Sequence, residues 1–114
     1  MAGFRTATFD GQDITAASLS FNINGSNTLI AASAGNIIRV YRLMLACATG
    51  ATTIQFFDGT NALTGVMTIT NGTPFILYMD DNPWFTCTRG NAFNATSGSG
   101  NQWSGSIYST TQPV

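Results

Sequence analysis

The sequence contains no lysine, no glutamate and no histidine, and these absences remove most of the usual catalytic groups. Without histidine, no Ser–His or Cys–His pair can form, and aspartate is the one carboxylate left as a general base. Cys47 and Cys87 do not form a Cys-x-x-Cys pair, which argues against structural zinc. No Gly-x-x-x-x-Gly-Lys loop is present to bind phosphate. We therefore expect that the protein is not an enzyme and has no catalytic residues, no cofactor and no dedicated metal site.

Charge of either sign is scarce. Charged residues make up 8% of the chain, against about 25% in typical soluble domains. Four arginines and five aspartates give a net charge of -1, so no cation cluster is available for a phosphate backbone and direct nucleic-acid binding is not expected. Uncharged Ser, Thr, Asn and Gln supply 40 of the 114 residues. Because interface cores are depleted of Lys, Glu and Asp, this composition predicts a surface that contacts other protein. The alternative is an extracellular β-protein with a coat rich in Thr and Asn.

Long hydrophobic runs are also missing. No apolar run reaches the roughly 18 residues that span a bilayer, and the segment after Met1 does not lead into the apolar region of a secretory signal. We therefore expect no membrane segment and a protein that folds where it is made. In that setting Cys47 and Cys87 are expected to be buried, reduced thiols. A disulfide between them is the alternative.

Short β-rich segments separated by turn residues make up the rest of the chain. Gly occurs 12 times, and Asn-Gly, Asp-Gly, Ala-Gly, Arg-Gly and Asn-Pro pairs separate the segments. This spacing predicts an all-β protein, an antiparallel β-sandwich or barrel of jelly-roll-like form with little or no helix. The predicted strands are Phe4–Phe9, Ile14–Ile23, Thr28–Ser33, Ile37–Ala48, Thr52–Phe57, Val66–Thr70, Phe75–Met79, Trp84–Thr88, Ala92–Thr96 and Gln102–Thr110.

The segment "NIIRVYRLMLACA", residues 36–48, is the most apolar in the chain, yet it contains Arg39 and Arg42. A helix would place both arginines opposite an apolar stripe. The β-rich start of the segment and its strand-like neighbours favour a strand that is covered on both sides. In a regular strand, two residues whose numbers differ by three lie on opposite faces. We therefore expect Arg39 and Arg42 on opposite faces, each near an edge or a partner.

Two acidic turns are candidate ligand sites. Asp80-Asp81-Asn82-Pro83 offers oxygen ligands for Ca²⁺, but three such side chains fall short of a full coordination shell. The alternative is an Asx turn ended by Pro83, which needs only local hydrogen bonds. Asp58-Gly59-Thr60-Asn61 is read first as a hairpin connection.

Aromatic residues offer a third candidate site. Trp84 and Phe85 follow Pro83, and Trp103 and Tyr108 come later, so an aromatic platform for sugars is conceivable. Aromatic side chains also dominate protein cores and interfaces. We expect core or subunit contact for most of them.

Two segments carry a recognisable pattern, "NTLIAASAGNIIRVYRLMLACATGATTIQFFDGTNALTG" at residues 27–65 and "PFILYMDDNPWFTCTRGNAFNATSGSG" at residues 74–100. On this pattern the chain resembles small β-domains found among the structural proteins of tailed bacteriophages, and the resemblance extends over about residues 27–108. It consists of turns and apolar positions, without a catalytic signature. Asp80, Asp81 and the two cysteines are outside the pattern, as are the first 26 residues.

This resemblance implies a capsid decoration, or cement, protein of the virion, assembled in the host cytoplasm. Its implied partners are the major capsid protein and further copies of itself, with a trimer favoured. Residues 1–26 would form an N-terminal arm with the first strands, in contact with a subunit or the capsid, and residues 27–114 a β-sandwich, within a single domain. The alternative is a tail-fibre or spike domain that binds host surface glycan. The predicted interface residues are Phe4, Arg5, Phe9, Trp84, Phe85 and Arg89. Arginine is enriched at interfaces, although Arg5 and Arg89 could equally be solvated surface residues.

Overall fold

A computed structural model describes residues 7–9, 12–48, 50–70 and 73–113 of the chain. These residues form eleven strands and contain no helix, so none of them belongs to a helix able to cross a membrane. In chain order the strands are β1 (Ala7–Phe9), β2 (Gln12–Phe21), β3 (Gly25–Ile30), β4 (Asn36–Cys47), β5 (Thr52–Asp58), β6 (Asn61–Ala62), β7 (Met67–Ile69), β8 (Phe75–Leu77), β9 (Phe85–Thr86), β10 (Phe93–Ser97) and β11 (Trp103–Pro113).

The strands form two antiparallel sheets, as the sequence predicts. The first sheet has the order β1-β2-β11-β4-β8, and β9 also pairs with β4. The second has the order β3-β10-β5-β6, and β7 also pairs with β5. Their apolar faces pack together, which makes the fold a sandwich and confirms the predicted all-β class.

Strict alternation in β5 and β10 builds one wall of the core. In β5 every second side chain from Thr52 to Asp58 is buried, and in β10 the same holds from Phe93 to Ser97. Because successive side chains of a strand point to opposite faces, Phe56 and Phe93 enter the core while Thr53, Gln55 and Phe57 point to the opposite face and are partly exposed.

Phe56 is the centre of an aromatic cluster that joins the two sheets. Its ring centroid lies 5.6 Å from Phe75, 5.5 Å from Phe85 and 5.6 Å from Phe93. Phe75 and Phe85 belong to strands beside β4, whereas Phe93 belongs to β10 of the other sheet. The separations suit favourable ring packing.

Trp103 makes a second connection between the sheets. Its side chain is fully buried, and its ring stacks on Phe21 with centroids 6.1 Å apart. The indole N–H donates to Ser97 Oγ on the opposite sheet at 3.0 Å. A buried indole N–H without a hydrogen-bond acceptor would destabilise the fold. The Ser97 hydroxyl oxygen supplies that acceptor for Trp103.

The predicted strand at residues 37–48 is confirmed as β4, but the expected placement of its two arginines is wrong. In the pairing with β11, Tyr108 lies opposite Arg42 and Ser109 lies opposite Val40, which leaves Tyr41 as an extra residue. This β-bulge reverses the alternation. Ile38 and Val40 before the bulge, and Leu43, Leu45 and Cys47 after it, all enter the core. Arg39 and Arg42 therefore lie on the same, outer face of the sheet.

Within the described residues, the other strand predictions agree with the structure within a few residues, and residues 4–6 of the predicted first strand lie outside them. The strand β6 was not predicted. β3 begins three residues earlier than expected, at Gly25. Its Asn27 side chain is buried and donates to the carbonyl oxygens of Ile23 and Gly25, at 3.0 and 3.1 Å. β2 pairs with β11 from Thr15 to Phe21, which places the second half of the proposed N-terminal segment inside the first sheet.

Candidate functional site

The edge of the first sheet is interrupted beside the bulge of β4. β8 pairs with Leu43–Leu45, and β9 pairs with Arg39 and Val40. Residues 78–84, which we name the edge loop, leave the sheet between these two short strands. The loop thus emerges at the level where Tyr41 disturbs the ladder, since a bulge bends its strand and breaks local pairing.

The edge loop exposes large apolar side chains. The exposed fractions are 72% for Tyr78, 37% for Met79 and 46% for Trp84. The Trp84 indole N–H donates to the Tyr78 carbonyl oxygen at 2.6 Å, and the Trp84 backbone N–H donates to the Val40 carbonyl oxygen at 2.7 Å. These bonds close the loop and tie it to β4. Tyr, Trp and Met are enriched in protein interfaces, so a closed loop that displays all three suits binding to another protein.

The acidic residues of the edge loop form the local turn that was the alternative to a calcium site. The Asn82 backbone N–H donates to Asp80 Oδ1 at 3.4 Å, which is an Asx-type contact. Asp80, Asp81 and Asn82 are all exposed. Among the described residues, no three His, Cys, Asp or Glu side chains gather as a metal-binding group.

Arg42 lies on the outer face next to the edge loop. Its guanidinium carbon is 5.1 Å from the centroid of the Tyr108 ring, and its Nη1 donates to Ser106 Oγ at 3.2 Å. Ser106 and Tyr108 belong to β11, so the central strands of the sheet hold the guanidinium in place. A cation held over an aromatic ring is stabilised at the surface, and it still presents donors to an incoming acceptor.

Asp58 organises the turn that carries Arg89. Its Oδ2 accepts hydrogen bonds from the Thr88 backbone N–H at 2.9 Å and from Thr88 Oγ1 at 2.7 Å, and its Oδ1 accepts one from Asn91 Nδ2 at 3.0 Å. Burial is the largest influence on this carboxylate and would raise its pKa. The bonds from Thr88 and Asn91 together outweigh it, and the pKa lies below its ordinary value of 3.8.

Local backbone geometry places Asp58 at this position. It ends β5 and pairs with Asn61 across the hairpin predicted from the sequence, and Gly59 adopts a φ of 61°. A residue with a Cβ is strained in that region, and a Cβ at Gly59 would also come within 3.1 Å of the Asn91 side chain. The glycine therefore lets the hairpin and the turn approach closely.

The two cysteines are buried and do not form a disulfide with each other, as the sequence predicts. Burial, assisted by the negative charge of Asp58, raises the pKa of Cys87 to about 12. The reactive thiolate form is correspondingly suppressed.

The predicted interface residues occupy different places. Trp84 lies on the edge loop and Arg89 is exposed in the turn held by Asp58. Phe85 is half-buried, with its ring 5.5 Å from those of Phe56 and Phe93. Phe4 and Arg5 lie outside the described residues, as does the side chain of Phe9.

Sequence reasoning missed the roles of Tyr78, Met79 and Arg42. The run "FILYM" looks like a continuous strand, but the strand ends at Leu77. The alternative platform of several aromatic residues does not form as one surface either, because Trp103 is buried in the core.

Comparison with known proteins gives only distant similarity. No protein-family model and no curated protein matches the chain. Among solved structures, a subunit of Bacillus endospore appendages, described as disulfide-linked pili, is 13% identical, covers 99% of this chain and 100% of its own, and has a TM-score of 0.46. The cupin domain of Schizosaccharomyces pombe Cnp3 is 12% identical, with 97% of this chain and 64% of that chain covered and a TM-score of 0.34. A CENP-C domain of Drosophila melanogaster is 9% identical, with 95% and 72% covered and a TM-score of 0.34. At these identities and TM-scores, the similarities do not indicate a function for this chain.

Proposed function

We propose that this protein is a non-enzymatic structural protein of a virion, and specifically a capsid decoration protein that binds the major capsid protein of an assembled phage head. The observation that carries this proposal is the edge loop, a closed loop with exposed Tyr78, Met79 and Trp84 on a chain whose surface has few charges. Such a surface suits extensive protein contact. The resemblance of residues 27–108 to phage structural β-domains supports the same conclusion.

The chemistry of the described residues favours a structural role over catalysis. The Asp58 carboxylate already accepts three hydrogen bonds from the neighbouring turn. The raised pKa of Cys87 disfavours its nucleophilic form. With no histidine in the sequence, neither group has an imidazole partner for proton transfer.

The proposed mechanism is stabilisation by mass action. A protein that binds only the assembled, expanded shell stabilises that state by the free energy of each contact. Many copies multiply the effect, and a closed cyclic oligomer, with a trimer favoured, adds avidity at each binding position.

Copy number in purified particles and binding to shells test this proposal. A shell protein is present in many copies, whereas fewer than about a dozen copies per particle would exclude shell cement and indicate a tail or portal position. In co-sedimentation with shells of the major capsid protein, we expect Trp84→Ala to weaken binding. Val66→Ala is the matched control, because Val66 is 66% exposed but lies outside the edge loop.

A tail-fibre or spike domain that binds host glycan is the second candidate. The observation in its favour is the exposed Trp84 in the same loop as Asp80, Asp81 and Asn82, because an aromatic face with nearby polar groups suits a sugar ring. A glycan array probed with the intact oligomer tests it. Binding that is lost in Trp84→Ala would support this candidate, and an array without hits would remove it.

A further inference from the structure

The surface of the described chain carries complementary charge at two neighbouring places. The edge loop has exposed Asp80 and Asp81 among its apolar side chains. The second place, which we name the arginine surface, consists of Arg42, Ser106 and Tyr108 on the outer face of the first sheet. In a protein with four basic and five acidic residues, an aspartate pair at one place and an arginine at the other favour attraction between copies.

We infer that the edge loop of one copy docks on the arginine surface of a second copy of the chain. Asp80 and Asp81 of the loop meet the Arg42 guanidinium, and the exposed Tyr78, Met79 and Trp84 of the loop lose solvent contact against the second copy. This inference deepens the proposed function, because it supplies the contact that builds the shell-binding oligomer and rests on that function for its biological purpose.

Two features of Arg42 favour this contact. Its guanidinium is already positioned by the Tyr108 ring and Ser106 Oγ, so less side-chain freedom is lost on binding than for an unrestrained arginine. Its remaining N–H donors suit a carboxylate acceptor. The contact is assigned to Arg42 because its guanidinium is held at a defined position on the outer face.

The partner is a second copy because each copy carries both halves of the contact. Loop-to-loop pairing would place like charges together, and so would pairing of two arginine surfaces. Loop-to-arginine pairing places opposite charges together and buries exposed apolar side chains. Because every copy carries both the loop and the arginine surface, the contact can repeat around a symmetry axis.

Charge reversal tests the contact in the absence of shells. The wild-type protein is expected to be oligomeric by light scattering after size exclusion. Arg42→Asp, and separately Asp80→Arg with Asp81→Arg, should weaken association by about a hundredfold or more, because like charges then face each other. Thr68→Asp is the control for one added negative charge, because Thr68 is exposed on β7 of the second sheet, away from both places, and it should leave the mass unchanged. Far-ultraviolet circular dichroism establishes that each variant is folded.

Mixing the two reversed variants shows whether the contact lies between copies. The basic loop of the second variant is complementary to the acidic surface of the first, and the acidic loop of the first to Arg42 of the second. An equimolar mixture should therefore associate although each variant alone does not. The triple variant with all three reversals should associate by itself. A monomeric wild type, unchanged masses for both reversals, or failure of both the mixture and the triple variant to associate would overturn the inference.

Shell binding separates this inference from the proposed function. If the triple variant and the wild type both form oligomers but neither binds shells, the proposed function fails and the self-contact stands. If the wild type binds shells while the charge reversals leave its mass unchanged, the self-contact fails and the proposed function stands.

Discussion

The Asp58 carboxylate accepts two hydrogen bonds from Thr88 through one oxygen, 2.9 Å from the backbone nitrogen and 2.7 Å from the hydroxyl. The two residues are 30 positions apart in sequence, so this contact ties the β5–β6 hairpin to the turn after β9. Asp58 is 6% exposed, and a buried carboxylate needs such donors to remain ionised. The contact therefore stabilises the fold, and it also holds the turn that carries Arg89.

Replacing Asp58 should destabilise the protein strongly. Hydrogen bonds to charged groups contribute about 1.5–3 kcal/mol each but are not additive, so we expect Asp58→Ala to lower the free energy of unfolding by about 3 kcal/mol. Urea unfolding at pH 7 measures the change. Asp81→Ala is the control, since Asp81 is exposed and surface substitutions stay within about 0.5 kcal/mol. Equal effects of the two changes would contradict the assigned role.

The stabilisation by Asp58 should depend on pH in the acid range. Its pKa in the folded protein is below the ordinary 3.8, so the unfolded chain takes up the proton first as the pH falls. The stabilisation is then complete above the unfolded pKa and is lost as the pH falls through the lower folded pKa. The stability difference between wild type and Asp58→Asn should be constant above about pH 5 and shrink below pH 4. The exposed aspartates are present in both proteins, so their contributions to the pH dependence cancel in the comparison. A stability difference that stays constant down to about pH 2 would contradict the assigned role of the Asp58 pKa.

The positions of most strands follow from local sequence, whereas the bulge and the contacts of Asp58 do not. Alternation and turn residues locate β5 and β10 to within a residue or two, because each strand has one buried face. Val40-Tyr41-Arg42 has no local signal for an extra residue, since the bulge is defined by its pairing with Tyr108 and Ser109 on another strand. The rule that residues three apart lie on opposite faces fails there for this reason.

The predicted strand Phe75–Met79 extends two residues too far for a similar physical reason, although the turn at Asp80–Pro83 was predicted. An apolar run forms a strand along its whole length only if a partner strand is available to pair with all of it. Leu77 pairs with Leu43, but the ladder of β4 resumes with Phe85 opposite Val40. Tyr78 and Met79 are therefore released to the surface despite their strand-forming composition. For Asp58, the hydrogen-bonding partners lie 30 and 33 residues away, beyond the reach of any local pattern.

Both thiols should be unreactive in the folded protein. Cys47 and Cys87 are 1% and 2% exposed, and the pKa of Cys87 is raised to about 12 by burial and by Asp58. We expect no reaction with a thiol-specific chromogenic disulfide at pH 8 in the native state and two equivalents after denaturation. Ser104→Cys is the positive control because Ser104 is exposed on β11. Reaction of a native cysteine as fast as that control would show that the core opens readily.

Gly105 should tolerate no side chain. It pairs with Leu45 on β4 and Leu19 on β2, and an added Cβ would overlap the Met44 carbonyl oxygen and lie 2.7 Å from its carbon. The backbone of a central strand cannot move away without breaking its pairing, so Gly105→Ala should lower the free energy of unfolding by about 3 kcal/mol or more. Gly65→Ala is the matched control, since nothing lies within 4 Å of a Cβ there. Thermal unfolding of both variants measures the difference, and similar melting temperatures would contradict the close approach of the strands.

The two tryptophans should differ sharply in accessibility. Trp103 is 0% exposed and Trp84 is 46% exposed, so acrylamide should quench the Trp84 fluorescence and leave that of Trp103 largely unaffected. Trp84→Phe should leave a blue-shifted emission that resists quenching, because only the buried indole remains. Strong quenching in that variant would contradict the burial of Trp103.

The same fluorescence reports on docking of the edge loop. If the loop packs against a second copy, Trp84 loses solvent contact on association, and its quenching should fall as the wild-type concentration rises through the dissociation constant. Arg42→Asp leaves Trp84 itself unchanged but removes the positive charge on which the loop is proposed to dock, so the quenching of Trp84 should stay high over the same range. Thr68→Asp, on the second sheet, should follow the wild type. Concentration-independent quenching in wild-type oligomers would place their interface away from Trp84.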